Sequence, residues 1–391
     1  MDNFFNRQFK APRFSYFLFG PRGTGKSTWI IKEYGTEAYL NLNKAKDFFP
    51  LSKDPSILKS LIKDQNSDWF IIDEIQKLPG LLDEIQELMT DPEIKVKFIL
   101  TGSSARKLKS INVNLLAGRA RVRNFFTLTS QELDFNFNID HILKYGALPQ
   151  VHQLKDENDK IDYLESYTQT YLNEEIKQEA IIRKLEPFIR FLDVSALMNG
   201  QIWNNSEIAR EVGVARTTIE GYLAVLIDTL IARRIEGFRP RAKVKEKSNP
   251  KFYYFDAGVV RALRSRLREP LDSLERGYLF ETWILNELEA YISYHRTGSK
   301  VMYWETPQHN EVDFIYQRGN SSYGIELKSA KEWKREFNLG LQTLIQEKKI
   351  KSGLGIYRGE RTLTFEGIKV YPVMEFLKKM WKDQLFDSDS Y

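Results

Sequence analysis

The sequence predicts a mixed α/β fold class, divided into three domains along a chain of 391 residues. A glycine-rich turn follows a short apolar segment near the start, a helical and then basic region occupies the middle, and two apolar segments near the end carry carboxylates. A chain of this length exceeds the usual size of one hydrophobic core. We expect the domains to occupy residues 1–150, 151–265 and 266–391.

Composition excludes several classes of site. The chain contains no cysteine, so it can form neither a disulfide nor a thiolate zinc site, and this suits a reducing compartment. No apolar run has the length of a membrane span, and no signal-peptide pattern follows Met1. A net charge of +5 permits contact with nucleic acid without requiring it. The expectation is a cytoplasmic protein with no membrane partner.

The first domain opens on a turn suited to phosphate. Residues 20–28 read Gly-Pro-Arg-Gly-Thr-Gly-Lys-Ser-Thr, directly after an apolar run at 14–19. Glycines let successive backbone N–H groups close round a polyphosphate, and the helix predicted to begin near Lys26 adds its positive N-terminal dipole. Lys26 suits the β and γ phosphates of ATP, and the Ser27 hydroxyl suits Mg²⁺. The predicted nucleotide-contacting residues are Gly20, Pro21, Arg22, Gly23, Thr24, Gly25, Lys26, Ser27, Thr28, Asp73 and Thr101.

A second apolar segment ends in two acidic residues. Residues 69–72 are continuously apolar, which is typical of a parallel strand buried on both faces, and Asp73 and Glu74 follow. At the carboxyl end of such a strand Asp73 can hold the Mg²⁺ shell, and Glu74 can polarise the attacking water. A third strand, 97–100, delivers Thr101, which we expect to contact the γ-phosphate or that water. A solvated acidic turn without a ligand is the alternative.

The order of these motifs resembles that of the AAA+ ATPases. After the third strand come a polar helical stretch, then Ala-Gly-Arg at 117–119, then a strand predicted for 122–128. In that family the arginine before the last core strand reaches into a neighbouring subunit's nucleotide. The resemblance therefore implies ATP and Mg²⁺ as cofactors and a homo-oligomer, with a hexamer as one candidate. It gives the arginine-finger role to Arg119, with Arg121 and Arg123 as competitors; a local ion pair of Arg119 is the alternative.

Three short segments carry a narrower resemblance. Residues 100–104 (Leu-Thr-Gly-Ser-Ser), 116–119 (Leu-Ala-Gly-Arg) and 146–149 (Gly-Ala-Leu-Pro) are similar to a prokaryotic group of predicted AAA+ ATPases with an uncharacterised C-terminal domain. This resemblance covers nearly the whole chain. It departs from the AAA+ pattern at the sensor-2 arginine, for which neither Arg183 nor Arg190 can be assigned.

The middle domain resembles a winged helix-turn-helix. Residues 205–214 predict a capped helix that ends in a glycine turn, and a second helix is predicted from 215 to 230. The apolar spacing in both segments favours two helices packed at a steep angle. The second helix is the candidate reader of DNA, through Arg216, Thr217 and Thr218.

A basic segment follows the second helix. Residues 233–251 contain eight lysine and arginine residues against two glutamates, a local charge expected where a protein contacts phosphates. The predicted DNA contacts here are Arg239, Arg241, Lys243, Lys245 and Lys247. A protein-interaction module with a solvated lysine-rich loop is the alternative interpretation.

Two predicted strands of the C-terminal domain carry two carboxylates and a lysine. Asp313 lies in the apolar segment 311–316, and Glu326 and Lys328 share one face of the next strand because they are two residues apart. A hairpin would place Asp313 beside them. Asp313 and Glu326 would then bind Mg²⁺, Lys328 would orient or deprotonate the attacking water, and Glu281 would reach in from a helix.

This set resembles the PD-(D/E)XK nuclease superfamily, and residues 326–329 (Glu-Leu-Lys-Ser) are similar to the version in archaeal Holliday-junction resolvases. The resemblance implies an ATPase that binds duplex or branched DNA and cleaves or remodels it with a metal-dependent C-terminal domain. Two alternatives stay open. One is an ATP-dependent regulatory switch whose C-terminal half binds a protein, and the other is a DNA-binding ATPase with an inactive nuclease fold. An ordinary cross-strand pair is the structural alternative for Glu326 and Lys328.

Overall fold

A computed structural model describes residues 4–103, 115–172, 185–239, 249–308 and 310–386. The chain forms two compact units. One unit contains residues 9–127 and 224–231, and the other contains residues 1–8, 128–223 and 232–391. None of the helices within the described ranges combines the length and the apolar character needed to cross a membrane.

The first unit contains a five-stranded parallel sheet in the order β2-β3-β4-β1-β5. The strands are β1 Tyr16–Phe19, β2 Tyr39–Asn41, β3 Trp69–Asp73, β4 Lys97–Gly102 and β5 Arg121–Asn124. The helices are α1 Lys26–Tyr34, α2 Ala45–Lys53, α3 Ile57–Lys63 and α4 Leu81–Leu88, with 3-10 turns at Ile75–Lys77 and Leu115–Gly118. Because β1 lies between β4 and β5, its carboxyl end is where the strand order reverses, the usual ligand position in such sheets.

Burial explains why the central strands read as continuous apolar runs. All four residues of β1 are buried, and Phe17 and Phe19 stack at 5.5 Å in a core shared with helices α3 and α4. The predicted strand at 122–128 is instead β5, which ends at Asn124. It is the edge of the sheet, and its side chains are mostly exposed.

The second unit begins with helices and a small antiparallel sheet in the order β6-β8-β7. The helices are α5 Ile139–Tyr145, α6 Pro149–Gln153, α7 Glu157–Ser166, α8 Leu185–Leu197, α9 Asn205–Val212, α10 Arg216–Asp228 and α11 Ala257–Leu263, with a π-helix at Tyr167–Leu172. The strands are β6 Gln201–Ile202, β7 Ala232–Ile235 and β8 Lys251–Tyr254. The division between the two units falls inside α10, after Leu223.

The helices predicted at 205–214 and 215–230 are α9 and α10. Asn204 caps α9 by accepting hydrogen bonds from the backbone N–H groups of Ser206 and Glu207, at 3.1 and 3.4 Å. The helix ends at Gly213, whose φ of 74° lies in the left-handed region that glycine adopts readily. Ring packing joins this region to α8, since Tyr222 meets Phe188 edge to face at 4.9 Å.

The remainder of the second unit is a six-stranded mixed sheet in the order β13-β14-β12-β11-β10-β9. The strands are β9 Lys300–Glu305, β10 Glu311–Arg318, β11 Ser321–Lys328, β12 Ser352–Tyr357, β13 Leu363–Phe365 and β14 Ile368–Pro372. The helices are α12 Ser273–His295, α13 Leu339–Gln346 and α14 Val373–Trp381, with a 3-10 turn at Arg335–Asn338. Strands β9, β10 and β11 are antiparallel neighbours, whereas β11, β12 and β14 run parallel.

The Gly-Ala-Leu-Pro segment at 146–149 has a structural explanation. Asp256 accepts the backbone N–H of Ala147 at 2.7 Å and also caps α11 through Val259 N at 3.2 Å. A Cβ on Gly146 would lie 1.9 Å from Asp256 Oδ1, so only glycine allows this approach. One buried carboxylate therefore connects this segment to the start of α11, more than a hundred residues further along the chain.

A second buried carboxylate joins α12 to α14. Glu287 is fully buried; its Oε1 accepts the backbone N–H and the hydroxyl of Ser130 at 2.7 and 2.6 Å, and its Oε2 accepts Trp381 Nε1 at 2.8 Å. Burial raises the pKa of Glu287 to about 7, although these hydrogen bonds oppose the shift. The folded state therefore holds this proton more tightly than the unfolded chain does.

We expect Glu287→Gln to change the pH dependence of stability. Because the pKa of Glu287 is raised in the folded state, its proton stabilises the wild type fully below about pH 4.5. This stabilisation is lost as pH rises through about 7, which lowers the free energy of unfolding by about 3 kcal/mol. The variant lacks this dependence on pH. Its free energy of unfolding is also lower by about 1–3 kcal/mol, because the NH2 group of the amide faces another hydrogen-bond donor, either at Ser130 or at Trp381. Urea unfolding between pH 4 and 8 measures the difference, which should shrink with rising pH. The exposed control Glu360→Gln should follow the wild type; a pH-independent difference contradicts the assignment.

Candidate functional site

The phosphate-suited turn has the backbone that its glycines predict. Gly23 and Gly25 have φ values of 78° and 88°, in the left-handed region. Helix α1 begins at Lys26, as predicted, and no side chain caps its N-terminus. Its first backbone N–H groups have no partners within the helix and carry the positive end of the dipole. These groups therefore fit the phosphates of a nucleotide.

Two residues of the turn have contacts that the motif alone does not reveal. A Cβ on Gly20 would lie 2.3 Å from the carbonyl oxygen of Phe125, so this glycine is required by packing against the end of β5. The Lys26 ammonium is buried and donates to the carbonyl oxygens of Gly20 and Pro21, at 2.6 and 3.0 Å. Thr24 also donates to Pro21 O, at 2.8 Å. The lysine thus lies across the turn.

Asp73 is the centre of the site. Its Oδ2 accepts the Ser27 hydroxyl at 2.9 Å and the Tyr39 hydroxyl, and its Oδ1 accepts the Thr101 hydroxyl. Burial, and then the charge of Asp73, raises the pKa of Tyr39, which keeps this phenol a donor. Ser27 and Asp73 are the two predicted Mg²⁺ ligands, and the structure brings them together.

Thr101 and Glu74, which were predicted to contact the nucleotide or the attacking water, have hydrogen bonds within the protein. Thr101 is fully buried, bonds to Asp73 and accepts the backbone N–H of Glu74 at 3.4 Å. Glu74 itself has a φ of 62°, which is uncommon for a residue with a side chain. Its carboxylate accepts the Gln76 amide, which also donates to Ser103 Oγ at 3.2 Å. Gln76 therefore ties the predicted water-polarising carboxylate to the tip of β4.

The three arginines near β5 have different surroundings. Arg119 is exposed and forms no ion pair within the described part of the chain. The Arg121 guanidinium lies over the Phe14 ring, 3.9 Å from its centroid, and Arg123 Nη1 donates to Val122 O at 2.9 Å. Of the three, Arg119 is the one whose side chain is directed to solvent without a partner there.

The structure describes one of the two arginines considered for the sensor-2 position. Arg190 pairs with Glu186 at 2.9 Å and donates to the carbonyl oxygen of Val212 at 3.3 Å. Arg183 lies outside the described residues.

The predicted DNA contacts are only partly described. Thr217 is exposed and Thr218 half-buried, while the exposed Arg216 pairs with Glu220 at 3.0 Å. Arg239 is exposed. Arg241, Lys243, Lys245 and Lys247 lie outside the described residues.

Two cations of the basic segment are used inside the protein. Arg233 pairs with Glu289 at 2.7 Å and donates to Asn286 Oδ1 at 2.9 Å. The side chain of Lys251 is only 6% exposed and lies 3.9 Å from a Glu311 oxygen. The count of eight cations thus overstates the charge that this segment presents to a partner.

The hairpin of β10 and β11 brings the predicted C-terminal residues together. Phe314 pairs with Ile325, so Asp313 and Glu326 follow in adjacent positions, and Asp313 Oδ2 accepts the Leu327 N–H at 2.7 Å. Lys328 Nζ lies 2.5 Å from Glu326 Oε1. The other oxygen of Glu326, Oε2, is buried, and no described residue forms a hydrogen bond with it. Burial, and then the charge of Asp313, raises the pKa of Glu326 well above its ordinary value.

Glu281 joins this group from α12. Its Oε2 accepts the Tyr253 hydroxyl at 2.7 Å, and burial raises its pKa. No set of three His, Asp or Glu side chains in the described ranges gathers as the ligands of one metal ion. A Mg²⁺ ion commonly takes only one or two protein carboxylates and completes its shell with water and substrate phosphate. The free oxygen of Glu326 beside Asp313 fits that kind of site.

Four neighbours of these residues were not predicted to belong to either site, namely Tyr39, Gln76, Lys251 and Tyr253; Lys251 was counted only as a cation of the basic segment. Tyr39 lies on the short strand β2, which no motif marked, and Gln76 lies two residues beyond Glu74 in a 3-10 turn. Lys251 and Tyr253 share one face of β8. A lysine within an otherwise apolar strand was the available signal, because a buried lysine needs acidic partners.

Comparisons with known proteins bear on the first of these sites. Residues 13–134 match the family model described as an AAA domain. The prediction of an AAA-type ATPase domain at the start of the chain is thereby confirmed in its general form, and this domain implies binding of ATP. Two further models, both described as domains of unknown function, match residues 136–270 (DUF8612) and 276–376 (DUF4143).

Two mycobacterial proteins are similar to this chain over most of its length. They are the uncharacterised proteins Mb2031c of Mycobacterium bovis and Rv2008c of Mycobacterium tuberculosis, each 26% identical over 317 residues, or 80% of this chain and 69% of the relative. A solved structure, protein VC1899 from Vibrio cholerae, covers 94% of this chain and 96% of its own at 11% identity. Its TM-score of 0.19 does not establish a shared fold.

Proposed function

We propose that this protein hydrolyses ATP in a Mg²⁺-dependent reaction and does so as an oligomer. The observation that carries the proposal is the position of Asp73, which holds the Ser27 hydroxyl at 2.9 Å directly behind the phosphate-suited turn. A hydroxyl and a carboxylate at this place supply oxygen ligands for Mg²⁺, and the uncapped N-terminus of α1 supplies donors for phosphate.

Each residue of the site has a defined task in this proposal. Bound MgATP supplies the scissile phosphoanhydride and a divalent charge. The backbone N–H groups of residues 23–27 bind the phosphates, and Lys26 exchanges the carbonyl oxygens of Gly20 and Pro21 for phosphate oxygens. Tyr39 and Thr101 hold the Asp73 carboxylate in place. Glu74 accepts a proton from the attacking water once Gln76 sets its orientation.

Arg119 acts on a neighbouring subunit's nucleotide in this proposal. Its side chain is exposed and has no ion-pair partner among the described residues, whereas Arg121 is stacked on Phe14. A positive charge delivered across an interface stabilises the transition state, and the interface then repeats from subunit to subunit.

The C-terminal carboxylates support a second candidate activity, metal-dependent cleavage of DNA. The specific observation is the buried Oε2 of Glu326, which has no hydrogen-bond partner among the described residues, while Lys328 bonds the other oxygen of the same carboxylate and Asp313 lies beside it. A divalent cation would satisfy this oxygen, and Lys328 would orient the attacking water. Helix α10 and the basic segment would bring the DNA; branched and duplex forms are both candidates. The competing proposals are a protein-binding regulatory switch and an inactive nuclease fold that only grips DNA.

ATP turnover should depend on Lys26 and Glu74. We expect Lys26→Ala to weaken ATP binding and lower turnover at least about 100-fold, because the phosphates lose their side-chain cation. Glu74→Gln should retain binding and lose about 100-fold or more in turnover, since the amide cannot accept the proton. Fluorescent-nucleotide binding and phosphate release measure the two effects. The matched control Lys32→Ala alters an exposed lysine on the same helix and should behave as wild type; equal activity of all variants refutes the proposal.

Mixing two inactive variants tests whether Arg119 acts between subunits. Arg119→Ala should lower turnover about 1,000-fold or more, and Arg121→Ala should have little effect. In an equal mixture of Arg119→Ala and Glu74→Gln, about a quarter of the interfaces pair an intact Glu74 with a neighbour's intact Arg119. Turnover should recover to that fraction of the wild-type rate. Subunits that use their own arginine give no recovery, and that result would falsify the inter-subunit role.

Binding and cleavage of DNA separate the candidate roles of the C-terminal half. Duplex and four-way DNA are offered with Mg²⁺ or Mn²⁺, with and without ATP. Cleavage that Asp313→Ala abolishes, with binding intact, supports the nuclease. Binding without cleavage favours an inactive fold, and no salt-dependent binding favours the protein-binding switch. Glu360→Gln, an exposed change in the same domain, serves as the control and should leave both binding and cleavage unchanged.

A further inference from the structure

Strand β8 contributes two side chains to the carboxylates of the C-terminal sheet. Lys251 Nζ lies 3.9 Å from Glu311 Oε2, and its side chain is 6% exposed. Tyr253, two residues further and on the same face, donates to Glu281 Oε2 at 2.7 Å. The carboxylate cluster, defined here as Glu281, Glu305, Glu311, Asp313 and Glu326, therefore has a cation and a hydrogen-bond donor from the middle part of the chain.

The charges facing Lys251 come from several elements. Burial lowers the pKa of Lys251, but the negative charges of Glu281 on α12, Asp313 and Glu311 on β10, and Glu305 on β9 outweigh burial and raise it. The Tyr303 ring lies 5.5 Å below the ammonium. Lys328 is bonded to Glu326 on the far strand of the hairpin. Lys251 is thus a permanent cation at the acidic cluster.

A buried cation of this kind competes with a metal ion. Like charges repel strongly where water is excluded, so an ammonium group among the carboxylates lowers their affinity for a divalent cation. Its nearest carboxylate oxygen, Glu311 Oε2, lies 3.9 Å away. This agrees with the arrangement observed among the described residues, in which no three acidic side chains converge as ligands.

We propose that Lys251 is the internal counter-ion of the carboxylate cluster and limits how tightly the cluster binds a divalent cation. The inference rests on the proposed metal site at Asp313 and Glu326. It assigns to β8 a role in binding and not in chemistry, because the Lys251 side chain is 6% exposed whereas that of Lys328 is 27% exposed.

Direct titration with Mn²⁺ tests the proposal without any assay of cleavage. The full chain is titrated in the absence of nucleotide, and free Mn²⁺ is followed by electron paramagnetic resonance. Lys251→Met should bind Mn²⁺ roughly tenfold or more tightly than wild type, because one positive charge has been removed. Lys251→Arg keeps the charge and should stay within about threefold of wild type. The control Lys300→Met removes an exposed lysine of β9 and should change nothing.

A double variant shows whether an altered affinity comes from the charge of the cluster and not from misfolding. Lys251→Met leaves an unbalanced carboxylate, whereas Lys251→Met with Glu311→Gln restores the charge of the cluster and should return the affinity toward the wild-type value. Circular dichroism and thermal melting establish that each variant is folded. Tighter binding in the single variant that the double variant reverses supports the role of Lys251.

Asp313→Ala separates failure of this inference from failure of the metal site. If wild type binds Mn²⁺, Asp313→Ala does not, and Lys251→Met equals wild type or binds more weakly, the metal site stands and the counter-ion role is wrong. If only Lys251→Met binds, the inference holds and the lysine closes the site in the wild type. If neither wild type nor any Lys251 variant binds, both proposals are overturned.

Discussion

The hydrogen bonds to Asp73 are the interaction on which the first unit depends. Its two carboxylate oxygens accept hydroxyls from α1, β2 and β4, so one side chain fixes three elements relative to β3. A buried carboxylate needs such donors, since the desolvated charge is otherwise costly. The same contacts hold the oxygens in the position where a metal ion would be bound. Stability and ligand binding therefore use one set of bonds.

Patterns of neighbouring residues made the core of each site predictable. The glycine-rich turn, the acidic strand end at Asp73 and the alternation of Glu326 and Lys328 each depend on local geometry, which sequence spacing determines. Tyr39 and Tyr253 were not predicted because each reaches its carboxylate through tertiary packing. Gln76 contacts the nearby Glu74, but its second partner, Ser103, is likewise brought close only by the fold. Nothing local distinguishes a tyrosine that donates to a carboxylate from one that only fills space.

Counting charges overstates the number of cations that the basic segment presents, for a similar reason. Arg233 and Lys251 belong to strands that pack on acidic helices and sheets, so their charges are neutralised inside the protein. A sequence gives the number of cations. It does not show which of them face a buried glutamate in the folded protein. The helices α9 and α10 were easier to predict, since an Asn cap and a glycine at the turn are local signals.

The close approach of Gly20 to Phe125 couples the position of the phosphate turn to the position of the residue that follows β5. Because the backbones touch where no Cβ would fit, the phosphate turn cannot shift without displacing the residue that follows β5. The segment between Arg119 and Phe125 is short and mostly β-strand. A displacement at one of its ends is therefore transmitted to the other end. A shift of the phosphate turn would therefore move the residue that follows β5 and, through that strand, the position of Arg119 in the same chain.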